Sequence, residues 1–411
     1  MNESLLSYRE ALRLIEDHLT PLPIRRINWR CSIGAALAED VAAIENLPPF
    51  TNTSMDGYAV RSEDVQGASE NRPVRLHVAE AIFAGDSPSR QTLQPGWAAK
   101  IMTGAPLPQG ADAVIMVEYT KTHNDSVDIF SSAQPGENLR PEGEEIRRGD
   151  VLLPLGIAVG PVERGLLAQQ GIREVSVRQP PRAALLATGD ELVEPESEIV
   201  PGQIRNVNAY TLAAELERLR CPVADLGIGR DDPGALRDLI RRGVEEADLL
   251  IASGGVSAGE RDFLPGLLRD MGMRTIFHKA SVKPGKPILF GLLDERPIFG
   301  LPGNVVSVIA SFHLFVKPSI KLMMGRKDWR NTTMFARMGQ LVHNPGSRTH
   351  FMRCRLSHMP SGAPIAYPTG KQESGMLTSL LGADGFAVIP GDVDTVEEFT
   401  EVEFIPLRDD R

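Results

Sequence analysis

Three short glycine-containing segments carry paired carboxylates: "ATGDE" with Asp190 and Glu191, "GRDDP" with Asp231 and Asp232, and "SGGVSAGERD" with Glu260 and Asp262. Carboxylates are hard oxygen donors, so several of them beside a phosphate suit Mg2+. Acids and glycines at such junctions also cap helices, and "DDP", where Asp232 precedes Pro233, fits capping as well as it fits a site. "SGGVSAGERD" holds more chemistry. Ser253, Gly254, Gly255 and Ser257 make a small-residue cradle whose backbone N–H groups can face a phosphate, with acids directly behind. "KASVKPGKP" is the cationic counterpart, spacing Lys279, Lys283 and Lys286 around a stiff proline-glycine turn. It reads either as a surface turn with solvated lysines or as the local positive field that an acidic protein needs to hold an anion. "GLPGN", from Gly300 to Asn304, is a turn of the same kind in which backbone donors around Pro302 can meet an anion. Acids for a metal together with fixed lysines imply a phosphorylated small molecule.

The elements around these segments explain why the acids recur. From Pro181 onward the chain alternates strand-like and helix-like runs: "RAALLATG", "NAYTLAAELERLR", "VADLGIG", "DDPGALRDLIRRGVEEA" and "DLLIASGG". The helix "RDFLPGLLRDMG", the turn "KPGKP", the strands "ILFGLL" and "PIFGLPG" and a long helix from Asn304 towards Met324 complete the pattern. Such alternation predicts a parallel, doubly wound sheet, in which ligands sit beyond the carboxyl ends of the strands. The acidic segments fall at those ends.

Upstream, Ser7 is placed to cap an amphipathic N-terminal helix, and residues from about Pro73 to Val127 read as the short runs and turns of a small β-rich module. Within "FTNTSMDGYAV", after Pro48-Pro49, Asp56 stands among small hydroxyl residues in a stretch that neither a helix nor a regular strand would choose. A short helix is expected at "GPVERGLLAQQG", opening near Pro161, and the tail from Asn331 to Arg411 is again strand-like in "HFMRCRL", "FAVIP" and "EVEFIPL". The expected division is 1–45 plus 140–180 as a segmented linking domain, 46–139 as a small β lobe, 181–328 as the α/β domain and 329–411 as a C-terminal β domain.

A chain of 411 residues exceeds one core, since a domain usually takes roughly 100 to 200. With 42% hydrophobic and 24% charged residues the composition is that of a globular protein, and no uninterrupted apolar run reaches the roughly 20 residues of a bilayer span. No basic leader with an apolar block opens it, so neither export nor a membrane is expected. Cys31, Cys221 and Cys354 stand far apart without CxxC spacing, which argues against zinc, Fe–S clusters and disulfides and fits a reducing cytoplasm. A net charge of -10 speaks against a general nucleic-acid binder.

Taken in order, "PPFTNTSMDGYAV", "IMTGAPLPQGADAVI", "GEEIRRGD", "ATGDEL", "SGGVSAGERD", "KPGKP" and "GLPGN" closely resemble the MoeA family of molybdopterin molybdenumtransferases, including the E domain of gephyrin. The resemblance implies a multidomain α/β and β fold: a MogA-like doubly wound α/β domain, a small β lobe, a segmented linking domain and a C-terminal β-barrel-like domain. It implies a homodimer that binds adenylylated molybdopterin and molybdate, cleaves the adenylate with a divalent cation such as Mg2+, inserts molybdenum into the dithiolene and releases AMP. Partners implied are a MogA-like adenylyltransferase and recipient molybdoenzymes.

By the same match, Asp56 and Thr103 of the "MTGAP" turn approach the α/β domain of the partner subunit. Glu191, Asp231 and Asp262 form the acidic cleft, with Asp262 and Asp231 expected on Mg2+ and Glu191 on the metal or acting as a general base. Lys279, Lys283 and Lys286 face phosphate, Pro302 belongs to the "GLPGN" turn, and Arg353 and Ser374 of "TGKQESG" match positions associated with molybdate. A lone arginine on a strand reads equally as an exposed sheet residue. Two departures stand out: Glu145 where the family usually has aspartate, and Val305 where it commonly repeats proline. Valine restores an N–H and loosens the turn. Two other activities fit parts of the pattern. An adenylyltransferase making the adenylylated pterin shares the MogA-like fold but is usually far shorter, and a gephyrin-like scaffold would bind peptides without turnover.

Overall fold

The computed structural model describes residues 5–87, 91–256, 263–357 and 362–407. By internal contacts the chain divides into two units: Asp40–Pro154 with Gly165–Arg173, and Met1–Glu39 with Leu155–Arg164 and Glu174–Arg411.

The smaller unit is built on six strands in the order Ala113–Met116, Gly57–Val60, Trp97–Ile101, Val74–Ile82, Ser126–Ile129 and Thr120–Thr122. Only Val74–Ile82 and Trp97–Ile101 run parallel; the other neighbours are antiparallel. Side chains alternate across a strand, and both faces of this sheet are covered. Tyr58 and Val60 pack with Leu76, Ile115 and Val127 on one side, while Ala59 packs with Ile82, Ala99 and Val114 on the other.

In the larger unit Ser7 caps the helix Tyr8–His18, accepting the Glu10 N–H while the Glu10 carboxylate accepts the Ser7 N–H. The central sheet runs Val223–Gly229, Ala183–Thr188, Leu249–Ser253, Arg296–Leu301, Leu289–Leu293, Arg274–His278. Its first four strands run parallel, Leu289–Leu293 runs against them, and Arg274–His278 runs against Leu289–Leu293, so the sheet is mixed rather than wholly parallel. The reversal occurs at Asp294-Glu295, where both residues take positive φ (50° and 60°) and close a two-residue hairpin whose twist matches its strands. Helices cover both faces. Leu212, Leu216, Val308 and Phe312 pack with Leu185, Ile251 and Phe299; Leu236, Ile240 and Leu267 pack with Leu186, Leu250 and Ala252.

The helical run Val305–Met323 is, among the described residues, the one long and apolar enough to cross a membrane, and 89% of it is buried inside the fold. One turn of it, Phe312–Val316, is π-wide. Pro318 lies just beyond; lacking an N–H and crowding the carbonyl four residues back, it favours such a widened turn.

The C-terminal strands close a five-stranded barrel: Thr349–Ser357 pairs with Ile365–Pro368 on one side and Gly385–Ile389 on the other, and Met334–Met338 and Glu401–Pro406 complete the ring. Val282–Lys283 adds to it in parallel, Lys283 standing opposite His350. That pairing stitches the "KPGKP" turn to the barrel.

Candidate functional site

The chain leaves Ala183–Thr188 to one side for Val223–Gly229 and returns on the other for Leu249–Ser253, so the connections diverge beyond Thr188 and Ser253. Ligands bind open α/β sheets at such a switch point. A cavity of about 920 Å³ lies there, lined by Thr188, Gly189, Asp190, Glu191, Asp231, Ser253, Gly254, Gly255, Pro302 and Asn304 among others. Glu191 is held by local backbone geometry. Its carbonyl accepts the Ile204 N–H at 2.8 Å, and Leu192–Val193 pairs with Ile204–Arg205. The Arg230 guanidinium donates to the carbonyls of Asp190 at 2.8 Å and Leu192 at 3.2 Å, bracing the loop from the next strand. Gly189 has φ +145°, and a Cβ there would stand 2.6 Å from the Glu191 carboxylate oxygens.

The "DDP" pair divides its labour. Asp232 caps the helix Pro233–Glu246, accepting the Ala235 N–H at 2.7 Å, whereas Asp231 faces the cavity and donates its own N–H to Asp190 Oδ1 at 3.1 Å. Asp190, Glu191 and Asp231 thus line one wall together. Among the described residues no three His, Cys, Asp or Glu side chains are grouped closely enough to hold a metal by themselves. Carboxylate oxygens are nonetheless the donors Mg2+ takes, and Mg2+ commonly binds through one or two of them plus substrate phosphates. Ser257, Glu260 and Asp262 lie outside the described residues.

A second cavity of about 830 Å³ adjoins the first and shares Pro287, Pro302, Asn304 and Gly375 with it. Lys283, Lys286, Arg348, Lys371, Ser307 and Ser374 are on its wall. Lys279 lines neither cavity: at φ +81° it turns the chain, and its N–H donates to the Ile288 carbonyl. Arg353 is not an exposed sheet residue: it is wholly buried. Its side chain stands behind the cavity wall, where Nη2 donates to the carbonyls of Lys371 at 3.2 Å and Glu373 at 3.3 Å. Its Nε and Nη1 have no hydrogen-bond partner, and burial lowers the guanidinium's pKa.

His350 is also buried with both ring nitrogens unpartnered, and its pKa is lowered to about 3, first by burial and then by Lys283, Arg353 and Arg348 around it. The fold therefore keeps His350 neutral, while the unfolded chain protonates it near the ordinary value of 6.5. Between these two values the unfolded state binds more protons. This contribution to stability is complete above about pH 6.5 and falls as pH drops towards 3. His350→Met should flatten the acid side of the stability profile by up to about 1.4 kcal/mol per pH unit. Denaturant titrations of both proteins at pH 7, 6 and 5 measure it, and parallel profiles would reject it.

In the smaller unit, Gly57 pairs antiparallel with Ile101, so Asp56, just before its strand, and Thr103, just after the neighbouring one, lie side by side. Asp56 Oδ1 accepts the Thr103 N–H at 2.7 Å and its hydroxyl at 2.8 Å, and these bonds, the backbone one foremost, hold the carboxyl below its usual range. This segment presents an ionised, exposed carboxylate. Glu145 is exposed, and its N–H donates to the Leu47 carbonyl. Val305 is the first residue of its helix, with Asn304 extended before it (φ −69°, ψ 124°).

Sequence reasoning missed Asn208, Ser307, Arg348 and Lys371 as wall residues. Ser307, two residues after Val305, had a local signal in its nearness to "GLPGN". Arg348 and Lys371 reach the cavity only through the barrel's pairing with Val282–Lys283 and the turn after Ile365–Pro368.

Comparison with known proteins covers nearly the whole chain. The family profiles "MoeA N-terminal region (domain I and II)", "Probable molybdopterin binding domain" and "MoeA C-terminal region (domain IV)" match residues 6–171, 184–322 and 336–407. A molybdopterin molybdenumtransferase of Haemophilus influenzae is 34% identical over 95% of this chain and 97% of its own. Molybdopterin molybdenumtransferase 2 of Mycobacterium tuberculosis is 37% identical over 90% and 92%. A crystal structure of the molybdopterin biosynthesis MoeA protein of Pyrococcus horikoshii superposes with a TM-score of 0.84, at 29% identity, over 98% of this chain and 100% of that one.

Proposed function

The chain belongs to the MoeA family of molybdopterin molybdenumtransferases, and from that premise we infer that it inserts molybdenum from molybdate into molybdopterin, presented as the adenylylated pterin, and releases AMP. The observation that carries this reading is the joined pair of cavities, one walled by carboxylates at the sheet's switch point and the other by lysines and an arginine.

The larger cavity suits the nucleotide-capped pterin. Ser253, Gly254 and Gly255 are small enough to let its phosphate approach the backbone, the Gly254 N–H itself being bonded to the Leu301 carbonyl, and Ile204 and Val207, 55% and 40% exposed, offer apolar surface to a planar ring. Glu191 and Asp231 would hold Mg2+ together with phosphate oxygens, where the ion would neutralise charge developing on the phosphate. Glu191, exposed and braced by its backbone, would also orient the attacking oxygen. The smaller cavity suits molybdate, a tetrahedral dianion that takes charge-assisted donors from Lys283 and Lys286 and a hydroxyl from Ser374. The wall the two cavities share, at Pro287, Pro302, Asn304 and Gly375, would place the oxyanion beside the pterin, whose dithiolene supplies the sulfur ligands. Cys221 and Cys354 are buried, with their thiols pushed up to about 12 by burial, and take no part.

Glu191→Gln should reduce AMP release from adenylylated molybdopterin with Mg2+ and molybdate by about 10²–10⁴-fold while leaving the pterin bound. Wild-type AMP release by the variant would remove the assignment. The Asp56–Thr103 pair is assigned to completing the cleft of a partner subunit in a homodimer. Sedimentation of the active enzyme checks it, and a fully active monomer would refute it.

A further inference from the structure

Asn304 occupies the N-cap position of the helix Val305–Ser311, yet its side chain makes no capping bond to that helix. Asparagine is among the best capping residues. Here its Nδ2 donates instead to Ser374 Oγ, 3.0 Å away in the loop after the barrel strand Ile365–Pro368. The same loop takes over the missing cap, since the Ser374 carbonyl accepts the Val306 N–H at 3.1 Å. From the other side, Asn208 Nδ2 donates to the Gly303 carbonyl at 2.8 Å. Asn304 is therefore fixed at the junction, on the walls of both cavities.

We propose that Asn304 is a positioning residue that orients the Ser374 hydroxyl towards molybdate and so ties the oxyanion cavity to the pterin cleft. A serine oxygen that accepts an N–H keeps its own hydrogen for another acceptor, and accepting one bond polarises the next. With the amide donating, the Ser374 O–H is left to point at an oxyanion. Aspartate at position 304 would have the same shape, but it would draw the hydroxyl hydrogen to itself and bring a negative charge beside a dianion.

This inference rests on reading the smaller cavity as the molybdate site, and the experiment keeps the two separable. The Ser374 carbonyl, not the Asn304 side chain, caps this helix, so the thermal unfolding of Asn304→Ser and Asn304→Asp should match wild type. Asn304→Ser should raise the KM for molybdate about tenfold with kcat at saturating molybdate within about twofold, and Asn304→Asp should raise KM further. In a Ser374→Ala background Asn304→Ser should add no further loss, as expected of two residues acting through one bond. An unchanged molybdate KM in Asn304→Ser, or an equal extra loss in that background, overturns the positioning role. Calorimetric titration of Lys283→Ala with molybdate alone tests the cavity itself. Loss of binding there with no effect of Asn304→Ser overturns only the positioning role; wild-type binding overturns the cavity assignment with it.

Discussion

Gly254→Ala should destabilise the protein by about 2–5 kcal/mol and lower AMP release at least about 100-fold. Gly254 has φ +93°, a conformation L-residues rarely adopt, and an added Cβ would stand 2.4 Å from the Thr188 carbonyl oxygen and 2.9 Å from its hydroxyl. Neither atom can yield. Thr188 ends the strand beside Leu249–Ser253, and the Gly254 N–H is itself tied to the Leu301 carbonyl at 3.0 Å on the opposite neighbour. The two strand ends must therefore part where the cleft has its floor, and displacements near 1 Å are enough to cost about two orders of magnitude in rate. Gly255→Ala provides the graded comparison. At φ +65° its Cβ would meet only the Thr188 hydroxyl at 3.0 Å and Leu264 Cβ at 3.5 Å, so it should fold and lose less. Thermal unfolding and AMP release on both variants decide the matter; a Gly254→Ala protein equal to wild type in both would show that the cleft floor is not so constrained.

How much of this site could be read from the chain depends on how local each constraint is. Glycine after each strand, Asp232 before Pro233 and apolar runs of strand length are local signals, and they led to the sheet, its caps and its acidic edge. The closing hairpin was hidden because Asp294-Glu295 takes a positive-φ turn usually made by asparagine and glycine. Arg274–His278 was hidden by its polar residues; it is an edge strand, exposed along much of its length. Arg353 shows a different limit. The family resemblance named it as a cation for molybdate, but whether it faced solvent, ligand or the back of a loop depended on closure of the barrel, which no short window encodes. Lys279 and Lys283 differ likewise: only the second enters a strand paired with the barrel. Asn304 is the extreme case, since a capping residue at a helix start is expected to cap, and only the distant Ser374 reveals that it does not.

Lys283→Ala should lower molybdate affinity about 100-fold while leaving the anion-free protein as stable as wild type or slightly more so. Among the described residues Lys283 has no carboxylate ion pair, and it stands with Arg348 and the buried Arg353 around His350, whose pKa is lowered first by burial and then by these three positive charges. Like charges held together raise the free energy of the empty site, and a dianion relieves that repulsion, so the groups that oppose folding are those that favour binding. Removing one should thus move stability and affinity in opposite directions, which loss of a merely structural lysine would not do. Linkage makes the effect measurable without turnover, because a ligand at 100 times its Kd raises stability by about 2.7 kcal/mol. Molybdate should stabilise the wild-type protein against heat and leave Lys283→Ala nearly unmoved at the same concentration. A variant stabilised by molybdate as much as the wild type would show that the oxyanion is held elsewhere.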